Sequence, residues 1–281
     1  MVLILMGSSS ALAEQGVKEV SFELDEGTWM SLDVSPDGKW IAFDLLNDIY
    51  IMPASGGKAK AIHSGPATQR SPHFSSDGKS LAYLSDESGL DNLWITDIHG
   101  KSPRQICFDE RNFVSSPAWS PSGNAIAVVI REPEESQVYT SSIHEFQIDG
   151  GPTRPLVAAP GGRRDIQEPR YAPDGRHLYY TERVTRDHYV YMNTGLKNFV
   201  IKRAPLKSNM SEVRNEIRYE DPFLYKIRNN YDRPFIGGFG GATTPQPSPN
   251  GKKVAFIRRF KAKTTLFVAD VDTRSQTPIY G

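Results

Sequence analysis

One turn is written five times into this sequence. Ser35-Pro36-Asp37-Gly38-Lys39 returns as Ser75-Ser76-Asp77-Gly78-Lys79, Ser120-Pro121-Ser122-Gly123-Asn124, Ala172-Pro173-Asp174-Gly175-Arg176 and Ser248-Pro249-Asn250-Gly251-Lys252. A turn of this kind needs a residue that accepts positive φ, and Gly does so because it carries no Cβ. Short stretches such as Ser71-Pro72-His73-Phe74 and Ser116-Pro117-Ala118-Trp119 lead into it. Apolar runs follow it: Trp40-Ile41-Ala42-Phe43, Ser80-Leu81-Ala82-Tyr83, Ala125-Ile126-Ala127-Val128, His177-Leu178-Tyr179-Tyr180 and Lys253-Val254-Ala255-Phe256. Each copy therefore reads as a hairpin whose second strand is covered on both faces. Ala recurs at one point of that strand (Ala42, Ala82, Ala127 and Ala255), which suits close packing between sheets; Tyr179 is the departure.

The turn glycines are 40, 45, 52 and 76 residues apart. The first three intervals fit one propeller blade each, and the fourth leaves room for a long insertion or a degenerate blade. Third strands read at Asp48 to Met52, Asn92 to Ile95 and Leu266 to Asp270. Fourth strands follow glycine punctuation at Ala59 to Ile62, Arg104 to Ile106 and Thr153 to Val157. Four antiparallel strands per repeat make an all-β chain, a β-propeller of five to six blades with a ring that is open or incomplete. Met210 to Arg218 is the one stretch that reads as a short helix.

The pattern Pro-x-aromatic-Ser-Pro-Asp-Gly-Lys-x-Ile-Ala-Phe, followed by Ile-Tyr-Ile and a Gly-Gly pair, resembles the WD-repeat-like blade of TolB-type propellers, over residues 29–272. Gly16 to Gly56, and Gly237 to Ala242 running into Pro247-Ser248-Pro249, are similar to the propeller that precedes the metal-dependent domain of exported bacterial amidohydrolases. That resemblance implies that residues 14–281 are the non-catalytic propeller of a longer C–N hydrolase, gating or positioning substrate. Its own C-terminal domain would then be the partner, and a metal such as zinc would belong to that domain, with no cofactor in this chain. Two other readings stand beside it: a free-standing TolB-like interaction propeller that binds a protein or peptide, and the propeller of a prolyl-oligopeptidase type peptidase. A closed ring would need an outer strand from Val20 to Leu24, and its pairing with Gln276 to Tyr280 would argue against truncation.

Composition narrows the partners. The 281 residues carry 33 Lys plus Arg against 33 Asp plus Glu. That balance removes the general cationic field used in nonspecific nucleic-acid or anionic-membrane binding. Residues 1–13 read as the end of an export signal: an apolar Val2 to Met6, then Ala11-Leu12-Ala13 as a cleavage-type sequence before Glu14, although no Lys or Arg precedes Lys18. A periplasmic or secreted location follows as an expectation. No other stretch approaches the length of a membrane span.

Catalytic motifs do not assemble. The six histidines, His63, His73, His99, His144, His177 and His188, form neither His-x-His nor His-Glu-x-x-His, so none is assigned to a metal. Gly-x-Ser-x-Gly does not occur. Cys107, the single cysteine, ends an apolar run and reads as a buried small hydrophobe. Asp33-x-Ser35-x-Asp37-Gly38 imitates the start of a calcium loop, but the repeat explains it better as a turn. Gly237 to Gly241 offers N–H groups to an anion, with close backbone passage near the axis as the favoured reading. No catalytic and no metal residue is assigned. The candidate binding residues lie on loops that join one blade to the next at a mouth of the channel: Arg70, Glu110, Arg163 and Arg164, whose guanidinium forks suit carboxylates.

Overall fold

The computed structural model of the protein describes residues 27, 30–133, 139–157, 165–183, 199–206, 234–237, 240–261 and 263–279. The signal-like segment 1–13, the stretch Val20 to Leu24 and the helical candidate Met210 to Arg218 lie outside the described residues.

Five antiparallel sheets follow one another along the chain. The first holds β1 (Leu32–Val34), β2 (Trp40–Leu45), β3 (Asp48–Pro53) and β4 (Lys60–His63). The second holds β5 (Gln69–Phe74), β6 (Ser80–Ser85), β7 (Asn92–Asp97) and β8 (Arg104–Gln105). The third holds β9 (Phe113–Trp119), β10 (Ala125–Pro133), β11 (Tyr139–Gln147) and β12 (Arg154–Val157). The fourth holds β13 (Ile166–Tyr171), β14 (His177–Arg183) and β15 (Phe199–Pro205). The fifth holds β16 (Thr243–Pro247), β17 (Lys253–Phe260), β18 (Lys263–Asp270) and β19 (Gln276–Pro278). Each sheet is an up-and-down blade. In the fourth, Ile236 bridges Ile201 at the place of an outer strand. β16 packs directly beside β13 and β14, so blades 4 and 5 are immediate neighbours.

The repeated turn joins the first two strands of every blade. Its glycines, Gly38, Gly78, Gly123, Gly175 and Gly251, all have φ between +66° and +73°. The Gly38 N–H donates to the Ser35 carbonyl at 2.8 Å. The Asp37 carboxylate accepts from the Ser35 hydroxyl at 2.7 Å and from the Lys39 N–H at 3.1 Å. Asp77 repeats both contacts with Ser75 and Lys79. The carboxylate that imitates a calcium ligand thus closes its own turn.

Four apolar clusters fill four seams. Ala42 and Ile51 of blade 1 meet Phe74 and Leu81 of blade 2. Ala82, Leu84 and Leu93 meet Val114, Ile126 and Val128 of blade 3. Ala127, Val129 and Ile143 meet Ile166, Leu178 and Tyr180 of blade 4. Tyr179, Ile201 and Phe235 meet Val254, Phe256 and Phe267 of blade 5. The recurrent Ala lies at three of these interfaces, fully buried at Ala42, Ala82 and Ala127, where a larger side chain would hold the sheets apart. Tyr179 takes that position in the fourth seam, edge-on to Phe235 at 5.3 Å.

Between blades 5 and 1 no such cluster forms among the described residues. Leu32, Val34 and Trp40 on blade 1 and Leu266 and Ile279 on blade 5 remain exposed. The middle strands β6, β10 and β14 are buried on both faces, whereas β17 alternates between buried and open. Among the described residues the ring is packed by apolar clusters at four seams, and the Val20 to Leu24 segment named for closing the fifth lies outside them.

The glycine-rich loop before β16 carries the opposite polarity to an anion nest. The carbonyls of Gly237 and Gly241 accept from the buried Arg258 guanidinium at 2.7 and 2.8 Å. A Cβ on Gly240 would stand 2.0 Å from the Arg259 carbonyl oxygen, so close backbone passage is real but occurs against β17 of its own blade.

Candidate functional site

The innermost strands β1, β5, β9, β13 and β16 surround one axial cavity of about 270 Å³, open at the face that carries the repeated turns. Their register decides what lines it. Asp33 pairs with Ala42, His73 with Ala82, Ala118 with Ala127, Arg170 with Tyr179 and Gln246 with Ala255. Each of these five residues stands five places before its turn glycine. One structural position is thus occupied by an acid, an imidazole, a methyl group, a guanidinium and an amide.

A bulge in the inner strand helps to aim this ring. Ser71, Ser116, Glu168 and Thr244, each seven places before the turn glycine, have φ between +53° and +56°, and the ladder slips beside each of them. Such a residue bends the strand and increases its twist. Acidic side chains hold the bends across seams. Asp44 accepts the Ser71 N–H at 2.7 Å, and Glu168 accepts the Thr244 N–H at 2.7 Å.

The ring residues form one network. Asp33 Oδ2 accepts the Phe74 N–H at 2.8 Å and lies 3.6 Å from His73 Nδ1. Arg170 donates from Nη2 to His73 Nε2 at 3.4 Å, from Nε to Gln246 Oε1 at 3.1 Å and from Nη1 to the Pro169 carbonyl at 2.8 Å. The Trp119 indole N–H, from blade 3, donates to the His73 carbonyl at 3.0 Å. All five blades are tied together around the axis.

Protonation states follow from these contacts. Burial and then the Arg170 charge hold His73 below its ordinary 6.5, against the pull of Asp33 and Asp44, so the imidazole is neutral and can accept from Arg170. Burial alone would raise Asp33, but His73, the Phe74 N–H and Arg170 outweigh it and keep the carboxylate below its usual 3.8. Arg170 stays cationic even though burial works against its charge.

A second, larger cleft of about 840 Å³ lies on the same face between blades 3 and 4, beside Glu145, Arg154 and Tyr171. Its carboxylate is fully engaged: Glu145 accepts from the Tyr171 hydroxyl at 2.7 Å and pairs with Arg154 at 2.8 Å.

The loop residues expected from the sequence lie elsewhere. Arg70, on β5, is paired with Asp91 in the loop between β6 and β7. Glu110 is exposed in the connection between β8 and β9. Both belong to the end of the blades opposite the repeated turns. Arg163 and Arg164 lie outside the described residues. Cys107 is buried in the seam between blades 2 and 3, and burial pushes its thiol up to about 11, which leaves it unreactive at neutral pH. Among the described residues, no three His, Cys, Asp or Glu side chains converge as a metal set. The axial ring sits on the inner strands and not on the inter-blade loops where the sequence reading placed its candidates. The signal was available: counting back five residues from each turn glycine lists it.

Sheets of up-and-down strands ranged about an axial cavity define a β-propeller of TolB-like type. The chain belongs to the family described as the Tricorn protease N-terminal beta propeller domain, which it matches over residues 33–191. An uncharacterized protein of Agrobacterium fabrum is 28% identical over 156 residues, covering 52% of this chain and 52% of that protein. The Tol-Pal system protein TolB of Wolinella succinogenes is 27% identical over 161 residues, covering 55% of this chain and 37% of TolB. The solved structure of a putative TolB from Agrobacterium tumefaciens matches with a TM-score of 0.61 at 21% identity, over 89% of this chain and 79% of that one. The matches thus span about half, or less, of the curated relatives' length.

Proposed function

We propose that this chain is a non-catalytic recognition propeller of an exported protein, which receives a polypeptide segment at the turn-face end of its axis. The axial ring carries the reading. Five nearly identical turns build the scaffold, and the equivalent position just inside them varies from Asp to His, Ala, Arg and Gln. A position that served packing alone would repeat, as Ala does in the neighbouring strand. Export is supported by the signal-like start and by the similarity to a Tol-Pal system protein.

The amidohydrolase parent rests on the sequence resemblance of Gly16 to Gly56 and Gly237 to Ala242, and in that setting the same ring would position substrate for the metal domain. Either way this chain binds rather than cleaves. A random peptide display library panned on the purified chain tests it. Binders should be enriched and then lost in His73→Ala and Trp119→Ala, while amide and peptide substrates stay intact with or without zinc. Binders indifferent to both substitutions, or turnover of any substrate, would sink the reading.

A further inference from the structure

Asp33, His73 and Arg170 line the axial cavity. Asp33 and Asp44 both act on His73, and Asp33 and Glu168 both act on Arg170. With His73 neutral, the lining carries one carboxylate, Asp33, and one guanidinium, Arg170, while Asp44 and Glu168 lie outside it and accept the Ser71 and Thr244 N–H groups. That guanidinium is also occupied, since its three nitrogens donate to Gln246, to the Pro169 carbonyl and to His73.

Asp33 is different. Both of its contacts, with the Phe74 N–H and with His73, fall on Oδ2. Among the described residues Oδ1 has no partner, and the side chain lines the cavity, 21% exposed. An ionised carboxylate with an open oxygen beside a low-dielectric wall favours a positive charge.

The rest of the lining suits the stem of such a group. Val34, Trp119 and Pro121 add apolar lining beside Asp33. A long cationic side chain presents an aliphatic stem with a charged tip, and an indole wall adds attraction for such a tip. A volume of about 270 Å³ admits one side chain, not a folded element.

We propose that the axial pocket selects a cationic side chain, a lysine or arginine of the partner segment with its tip on Asp33, an assignment that rests on the axial-binding reading above. Neutral His73 contacts Asp33 through Oδ2 alone and leaves Oδ1 to the incoming tip.

A capped pentapeptide series Gly-Ser-Xaa-Ser-Gly, with Lys, Arg, norleucine, Gln or Glu at the centre and a dye at one end, tests this by fluorescence anisotropy on the full chain. Lys and Arg should bind about tenfold or more tighter than norleucine and Glu, and the difference should shrink in high salt. Asp33→Asn keeps an oxygen for the Phe74 N–H, so it should fold, yet it should bring Lys down to the norleucine level. Asp33→Glu should restore part of the preference.

Equal binding of Lys and norleucine, tighter binding of Glu, or indifference to Asp33→Asn would overturn the cationic assignment and leave the binding reading standing. A series in which no peptide binds would overturn both.

Discussion

Tyr171→Phe deletes one oxygen and tests how the blades are held together. The Tyr171 hydroxyl, at the end of an inner strand of blade 4, donates to Glu145 Oε2 of blade 3 at 2.7 Å. Glu145 is 5% exposed. Its other oxygen is served by Arg154 Nε at 3.1 Å and Gln147 Nε2 at 3.3 Å, so among the described residues Tyr171 is the single donor to Oε2. Burial first, and then the Glu145 charge, raise the Tyr171 hydroxyl above its ordinary range, which keeps it a donor at every working pH.

A hydrogen bond to a charged group is worth about 1.5–3 kcal/mol. The adjoining cleft lets water reach part of the site, so the lower half applies, about 1.5–2 kcal/mol. For a chain of this size that corresponds to a fall in melting temperature of roughly 3–8 °C. The assay is urea and thermal unfolding followed by circular dichroism and tryptophan fluorescence, whose coincidence checks two-state behaviour. In the Glu145→Gln background the same substitution should cost less, leaving a coupling of about 1 kcal/mol. A melting temperature within about 1 °C of wild type, or an equal cost in both backgrounds, would refute the reasoning.

Acid should destabilise the propeller below pH 6.5. His63, His73, His144 and His177 are each held below their ordinary 6.5, chiefly by burial, with Arg170 adding at His73 and Arg203 at His177. The unfolded chain takes up protons that the folded one refuses, so this stability is complete above pH 6.5 and is lost as the pH falls. The urea midpoint should drop between pH 7.5 and 5.5 and drop less in His73→Gln; a midpoint that holds or rises would contradict this. Gly240→Ala should cost more than about 4 kcal/mol or abolish folding, because its Cβ meets the Arg259 carbonyl at 2.0 Å with φ at +91°. Gly38→Ala, at φ +70° in open space, should cost only about 1–2 kcal/mol. Equal unfolding midpoints for the two variants would count against the packing assigned to Gly240.

The sequence by itself determined the blade. A turn that needs positive φ at Gly38 and its four counterparts, followed by a run apolar on both faces, is a local signal, and local hydrogen bonding and burial pattern are enough to make each hairpin. It also determined the small residue at Ala42, Ala82 and Ala127, because sheet spacing is written into side-chain volume. Strands such as β11 and β15 were not legible, since Tyr139–Gln147 and Phe199–Pro205 mix polar and apolar residues and acquire their strand character from the neighbour they pair with.

Only the tertiary structure decided the site. Asp33, His73, Arg170 and Gln246 are up to 213 residues apart in the chain, and nothing local distinguishes them from other strand residues. They meet because five inner strands place one register position around one axis. Whether a charge there stands in water or beside an opposing charge depends on that convergence, which no single repeat contains.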